Sequence, residues 1–181
     1  MLDLRGRLLV ATPALLDPNF AGTVVLLLDH SAEGALGIVL NRPSDARVAE
    51  AIAEWAPHAA DPPVIFVGGP VQPAAVIGLA RLRNGDALVD DWEPVLAGVG
   101  VLNLGGDPAE RARDLTGVRV FAGYAGWGPG QVEAELESGS WFLVPAVRDD
   151  GFCADPERLW RAVLQRQGGL FTTVAEDPSL N

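Results

Sequence analysis

The chain has no lysine, one cysteine, one tyrosine and two histidines in 181 residues, and no apolar run of 18 residues. Each scarcity removes a class of chemistry. Without lysine there is no Schiff-base nucleophile and no phosphate-gripping lysine of a Walker loop. The single Cys153 excludes an internal disulfide and fits a reducing compartment. Its sequence neighbours Asp149, Asp150 and Asp155 are acidic, whereas a reactive thiol needs an electropositive setting. Two histidines and one cysteine leave little for zinc, and the adjacent Asp90 and Asp91 lack the further oxygens that a hard cation takes; neither metal nor cofactor is expected. Apolar runs shorter than a membrane span give no transmembrane helix. The N-terminal MLDLRGRLLVATPALL lacks the apolar region and cleavage site of a signal peptide, so a cytoplasmic protein is expected.

Positive charge is also sparse. The formal net charge is −11, and such a chain gains nothing from counterion release on DNA. The closest arginine groupings, Arg5/Arg7, Arg81/Arg83 and Arg111/Arg113, are small, and no basic recognition helix follows a turn. Direct nucleic-acid binding is not expected, and the charge serves solubility.

What is present is apolar residue, 49% of the chain, enough for a sizeable core without staples and consistent with one domain over residues 1–181. Residues 7–11 read as a first strand. The continuous run at 23–28, TVVLLL, reads as a central strand covered on both faces. A polar turn at 29–34 and a returning strand at 35–40 make a hairpin, in which Gly37 suggests a bulge or a close backbone contact. His30 at the strand end reads as a turn residue, and His58 as solvated. Ser44 or Asp45 is placed to cap a helix through about Trp55, burying Val48, Ile52 and Trp55. Strands are predicted at 64–67, 75–81 and 99–104, with a short one at 87–89 after the Asn84-Gly85-Asp86 turn. The acidic segment 90–94 reads as exposed, with Trp92 as the exception. Asp107-Pro108 starts a helix to about Leu115. Asp155-Pro156 starts the last one, with a stripe of Leu159, Trp160, Val163 and Leu164. The tail from about residue 172 is expected to fray.

The densest stretch is 121–146, FAGYAGWGPGQVEAELESGSWFLVPA, with four glycines in the eight residues 123–130. It predicts a strand over 118–122, a glycine loop, a helix over 131–137 and a strand over 141–144. A glycine loop opening a helix presents free N–H groups to an anion; the simpler alternative is a tight corner with Tyr124 and Trp127 packed over the core. The dinucleotide fingerprint is incomplete, because Gln131 stands where its third glycine should be.

These motifs, GYAGWGPGQVEAE with TPALLDPNF, TVVLLLDH, GALGIVLNRP and FVGGPV upstream, resemble the AlgH/YqgE family of bacterial proteins from about Arg7 to Gly169. The resemblance implies a single α+β domain: a bulged, largely antiparallel or mixed sheet curled towards a barrel, with helices outside. It implies no reaction, although some members of that family are labelled transcriptional regulators.

No catalytic set assembles from the sequence. The expected function is a non-enzymatic binding or regulatory module. Its small-anion cleft is expected where three loops meet: Asn41 and Arg42 before Pro43, Gly68 and Gly69 before Pro70, and Tyr124, Gly126, Trp127, Gly128, Gly130 and Gln131. In it Arg42 would grip the anion and Tyr124 or Trp127 would cover an apolar portion. The alternatives are an enzyme acting on a small anion in the same cleft, or a protein-partner or homodimer surface using Trp55 or Trp92, with no ligand. No membrane partner is expected.

Overall fold

The computed structural model describes residues 2–85 and 89–177. Its core is a curled, largely antiparallel sheet with helices packed on its faces. The strands are β1 (Arg7–Ala11), β2 (Val24–Ser31), β3 (Gly34–Val39), β4 (Pro43–Arg47), β5 (Val64–Val67), β6 (Val71–Leu82), β7 (Trp92–Leu96), β8 (Val99–Leu102), β9 (Leu115–Trp127) and β10 (Trp141–Pro145). The sheet order is β10-β1-β2-β3-β9-β6-β8-β7. The helices are α1 (Val48–Ala51), α2 (Pro108–Arg111), α3 (Gln131–Glu137), α4 (Leu159–Gln167) and α5 (Leu170–Glu176). None of the described helices is long and apolar enough to cross a membrane.

Strand alternation sorts the apolar residues onto two buried faces. Leu8, Val10, Val24, Leu26 and Leu28 join Phe66, Leu79 and Phe121 under Leu159, Val163 and Leu164 of α4. The intervening Leu9, Ala11, Val25 and Leu27 pack with Trp127, Trp141 and Val132 of α3. The 23–28 run is apolar throughout because β2 is covered on both sides. A third cluster forms where Trp55 and Val48 meet Ala80, Leu82, Val118 and Val120.

The bulge in the β2–β3 hairpin lies opposite Gly37: Leu27 pairs Gly37, Asp29 pairs Leu36, and Leu28 is the extra residue. A side chain on Gly37 would press on Val25 and on the Leu26 carbonyl oxygen. The glycine therefore marks a close approach, and its partner strand takes the bulge.

Three element expectations give way. The helix expected from Ser44 is instead β4, paired antiparallel to β5; Ser44 donates its hydroxyl to Ile65 O, and only the four-residue α1 and a 3-10 turn at Ala53–His58 follow. The acidic segment 90–94 stays exposed apart from Trp92, as expected, but its end forms β7 instead of a plain loop: Trp92 packs against the third cluster and donates its indole N–H to Ala80 O. The tail through Glu176 is helical, with Val174 and Ala175 buried against α4. The short strand expected at 87–89 falls largely outside the described residues.

The largest departure concerns the glycine-rich stretch. β9 continues through Gly123, Tyr124, Ala125 and Gly126 to Trp127 as a single strand of 13 residues. Dense glycine here does not break the strand; it lets other backbones lie against it. β5 enters parallel beside β9, pairing Ile65 with Val120 and Val67 with Ala122. β3 pairs with the other half, Ala35 with Trp127 and Gly37 with Ala125. Gly68 closes the fork between them: its N–H donates to Ala122 O and its carbonyl accepts from Val39 N, both at 2.8 Å.

Arg119 of β9 is the largest buried cation. Its Nη1 donates to Gly151 O and Cys153 O, its Nη2 to Asp61 O, and its guanidinium lies 4.3 Å from the Phe66 ring centre. Burial pushes its pKa down to about 10, so the group stays charged at neutral pH, held by carbonyl dipoles and a ring face.

Candidate functional site

The residues singled out in the sequence are mostly engaged in holding the fold. At the GWGPGQ corner, Gln131 accepts from Gly128 N at 2.9 Å and donates to Glu135 at 2.9 Å. The other Glu135 oxygen accepts both indole N–H groups, from Trp127 at 2.9 Å and Trp141 at 2.8 Å. Phe20 packs on both indoles, with centroids 6.1 and 5.7 Å away. Gly130 is left-handed, with φ +71°, and is the N-cap of α3. α3 is thus clasped to β9 and β10 through one carboxylate.

Two residues earlier on α3, Glu133 accepts from buried His30 at 2.7 Å. His30 Nδ1 accepts from Leu4 N at 3.2 Å, which places the ring proton on Nε2, towards Glu133. Both ring nitrogens are spent, and the pair ties the N-terminal segment to the β2–β3 hairpin and α3. The backbone N–H at Glu133 first, and then the His30 ring, hold the Glu133 carboxyl below its usual range. A depressed folded-state carboxyl contributes stability above the unfolded value and loses it as pH falls through the folded one. Stability should therefore decline from about pH 4.3, where an ordinary glutamate titrates, downwards. The decline should be shallower in Glu133→Gln; equal acid slopes in urea titrations of the two proteins would reject this assignment.

The NRP corner is equally committed. The Arg42 guanidinium donates to Asn19 O, Pro18 O and Ala21 O, at 2.7, 2.9 and 3.2 Å. Asn41 accepts from Val24 N and donates to Gly22 O. Arg42 is the clasp of the 17–22 turn. Arg42→Ala should cost about 1.5–3 kcal/mol, the range for hydrogen bonds involving a charged group, without changing any response to anions. An unchanged urea midpoint would show that the clasp contributes nothing.

Gly68 and Gly69 lie against Gly123 and Tyr124, and Val67 N donates to Arg42 O, so the GGP and NRP segments are neighbours. The GWGPGQ corner is not with them. Gly34, at the start of β3, sits against Trp127 O and Gly128, whereas Arg42 lies beyond the far end of β3. Six strand residues at ~3.3 Å each separate the two ends by roughly 20 Å. The structure brings together two of the three loops, and Arg42 faces its own turn. Nor is Trp55 a partner surface: it is fully buried and donates to Leu104 O at 2.8 Å.

A different groove gathers charge. The bond from Arg83 N to Asp114 O, 2.7 Å, ties the end of β6 to the 3-10 turn at Ala112–Asp114. This sets Arg83 and Arg113 along one rim. The bond from Ala60 N to Val118 O, 2.8 Å, lays the 57–60 segment along β9 as the other rim, with His58 edge-on to Trp55 at 5.9 Å. Between them lies an open cleft of about 480 Å³, lined among others by His58, Arg83, Arg113, Ala60, Ala112 and Leu115. None of its described lining residues is acidic.

Nearby Arg81 and Arg111 are paired, with Asp149 and Asp91. Among the described residues, Arg83 gives one bond, to Leu115 O, and neither Arg83 nor Arg113 is in an ion pair. The sequence showed the Arg81/Arg83 and Arg111/Arg113 couples, but not that one member of each would pair with a carboxylate while the other lined one rim of a groove.

The sequence profile of the AlgH-like family matches residues 8–172. The chain belongs to the AlgH-like family. A UPF0301 protein of Streptomyces avermitilis is 49% identical over 186 residues, covering 99% of this chain and 96% of the relative. A crystal structure of a protein from Corynebacterium diphtheriae superposes with TM-score 0.91 at 33% identity, covering 95% of this chain and 91% of the other. The solution structure of the AlgH protein of Pseudomonas aeruginosa superposes with TM-score 0.68 at 33% identity, covering 96% and 94%. Within the AlgH-like frame, GWGPGQ, NRP and GGP occupy structural corners of the curled sheet.

Proposed function

We propose that this chain is a non-enzymatic binding module with regulatory use, and that its ligand is a small anion held in the groove of His58, Arg83 and Arg113. One observation carries the reading: a groove whose described lining holds no acid, with two arginines outside any described ion pair, in a chain of net charge −11. Guanidinium groups left without carboxylates are forks for oxyanions. The groove replaces the three-loop cleft expected from the sequence. Binding is favoured over catalysis because no described carboxylate in the groove orients His58 as a proton carrier.

Thermal unfolding tests this. With phosphate, sulfate or small carboxylates at ~100 times Kd, the wild type should gain ~2.7 kcal/mol, a rise of roughly 5–10 °C for a chain of this size. Arg83→Ala and Arg113→Ala should lose that rise, and Arg42→Ala should keep it. No rise with any anion, or a rise surviving both groove variants, would end the proposal.

A further inference from the structure

We propose that the occupant of this groove is a phosphate monoester with an apolar organic group, rather than a bare oxyanion or a simple carboxylate. The inference rests on the anion-binding reading above and adds the ligand's class. Three observations carry it.

The first is size. A cleft of about 480 Å³ falls within the range of sites for organic molecules, roughly 300–1,000 Å³, and is far larger than an inorganic oxyanion needs. The second is the composition of the lining. Arg83 and Arg113 supply charge and His58 a further polar group, while Ala59, Ala60 and Ala112 beside them add apolar surface without bulk. A site that offers charge and small apolar side chains side by side suits a molecule that carries both. The third is the amount of positive charge. Two guanidinium groups outside any described ion pair match a group carrying about −1.5 to −2 at neutral pH with three acceptor oxygens. A carboxylate brings a single charge and two oxygens. The Thr116 hydroxyl is engaged with Arg81 and is not counted among the ligand's donors.

The test is isothermal titration of the full chain with phenyl phosphate, inorganic phosphate and benzoate at fixed ionic strength. Phenyl phosphate should bind at least about tenfold more tightly than either of the others, a difference of about 1.4 kcal/mol. Ala112→Leu, which fills the apolar wall, should lower phenyl phosphate affinity about tenfold and leave inorganic phosphate affinity unchanged; its unfolding curve serves as the check on folding. Should Ala112→Leu not fold, Ala109→Leu probes the same wall from the exposed start of α2.

Equal affinity for phenyl phosphate and inorganic phosphate would overturn this inference while leaving the anion-binding module intact. Equal affinity for benzoate would remove the preference for phosphate. Failure of all three to bind would remove both the inference and the reading beneath it.

Discussion

Gly69→Ala should leave little folded protein, whereas Gly130→Ala should fold with a loss of only about 1–2 kcal/mol. Both glycines have positive φ, +153° and +71°, so backbone preference alone would penalise both. The difference lies in what surrounds them. A Cβ at Gly69 would sit 2.6 Å from Ala125 N, and closer still to the Tyr124 carbonyl group. All three obstacles are main chain of β9, where Tyr124 pairs with Val71 of β6 and Ala125 with Gly37 of β3. Nothing there can rotate aside, so β9 or the 68–70 turn would have to move. At Gly130 no atom lies within 4 Å of the added carbon, and only the left-handed conformation is penalised, by roughly 1–2 kcal/mol.

Enforced backbone clashes belong to the rare substitutions costing more than about 4 kcal/mol, a large part of the 5–15 kcal/mol that typically holds a domain together. Soluble yield and urea midpoint of the two variants decide the matter. A Gly69→Ala protein within 1 kcal/mol of Gly130→Ala would mean that β5 and β9 are not held as closely as described.

Glu135→Ala is the second large effect. The Glu135 carboxylate accepts from both indoles and from the Gln131 amide, and Trp127 and Trp141 are only 6% and 4% exposed. Removing the acceptor strands two indole N–H groups where water has little access, at about 1–3 kcal/mol each. It also frees Gln131, whose amide oxygen holds Gly128 N. A total near 3–5 kcal/mol is expected, a fall of roughly 6–20 °C in the unfolding midpoint. Glu135→Gln keeps an acceptor oxygen and should lose less than half as much. Tryptophan emission gives an independent view, because the two indoles should shift together in Glu135→Ala. Equal losses in the alanine and glutamine variants would show that charge, not the shared acceptor, is what matters.

Much of the frame was legible in the sequence because local pattern and tertiary role agree. TVVLLL is apolar on both strand faces and is covered on both. Asp107 accepts from Ala109 N, with Pro108 opening the helix as expected. The motif resemblance also placed the α+β class and the curled sheet.

What stayed hidden depends on partners remote in sequence. Glycines at 123 and 126 are local strand breakers, yet β9 runs through them because β3, β5 and β6 supply its hydrogen bonds from both sides. Ser44 and Asp45 look like helix caps until β5 offers β4 a ladder. The candidate groove was the least legible. His58, Arg83 and Arg113 lie in three separate segments, brought together by backbone contacts such as the Arg83–Asp114 and Ala60–Val118 bonds. The three motif loops drew notice by composition, and composition there records tight backbone contact.

The parallel seating of β5 beside β9 also bears on the order of assembly. Ile65 and Val120 are neighbours in the sheet but more than fifty residues apart along the chain. The 68–117 segment must be looped out before the two strands can meet, and the entropy of closing that loop is spent before any contact offsets it. Hairpins such as β2–β3 close over two residues and form early. The fork that Gly68 completes is therefore a late event, and until it closes β9 presents an open edge over Val120, Phe121 and Ala122. That is the interval in which the chain is most exposed to pairing with another copy of itself.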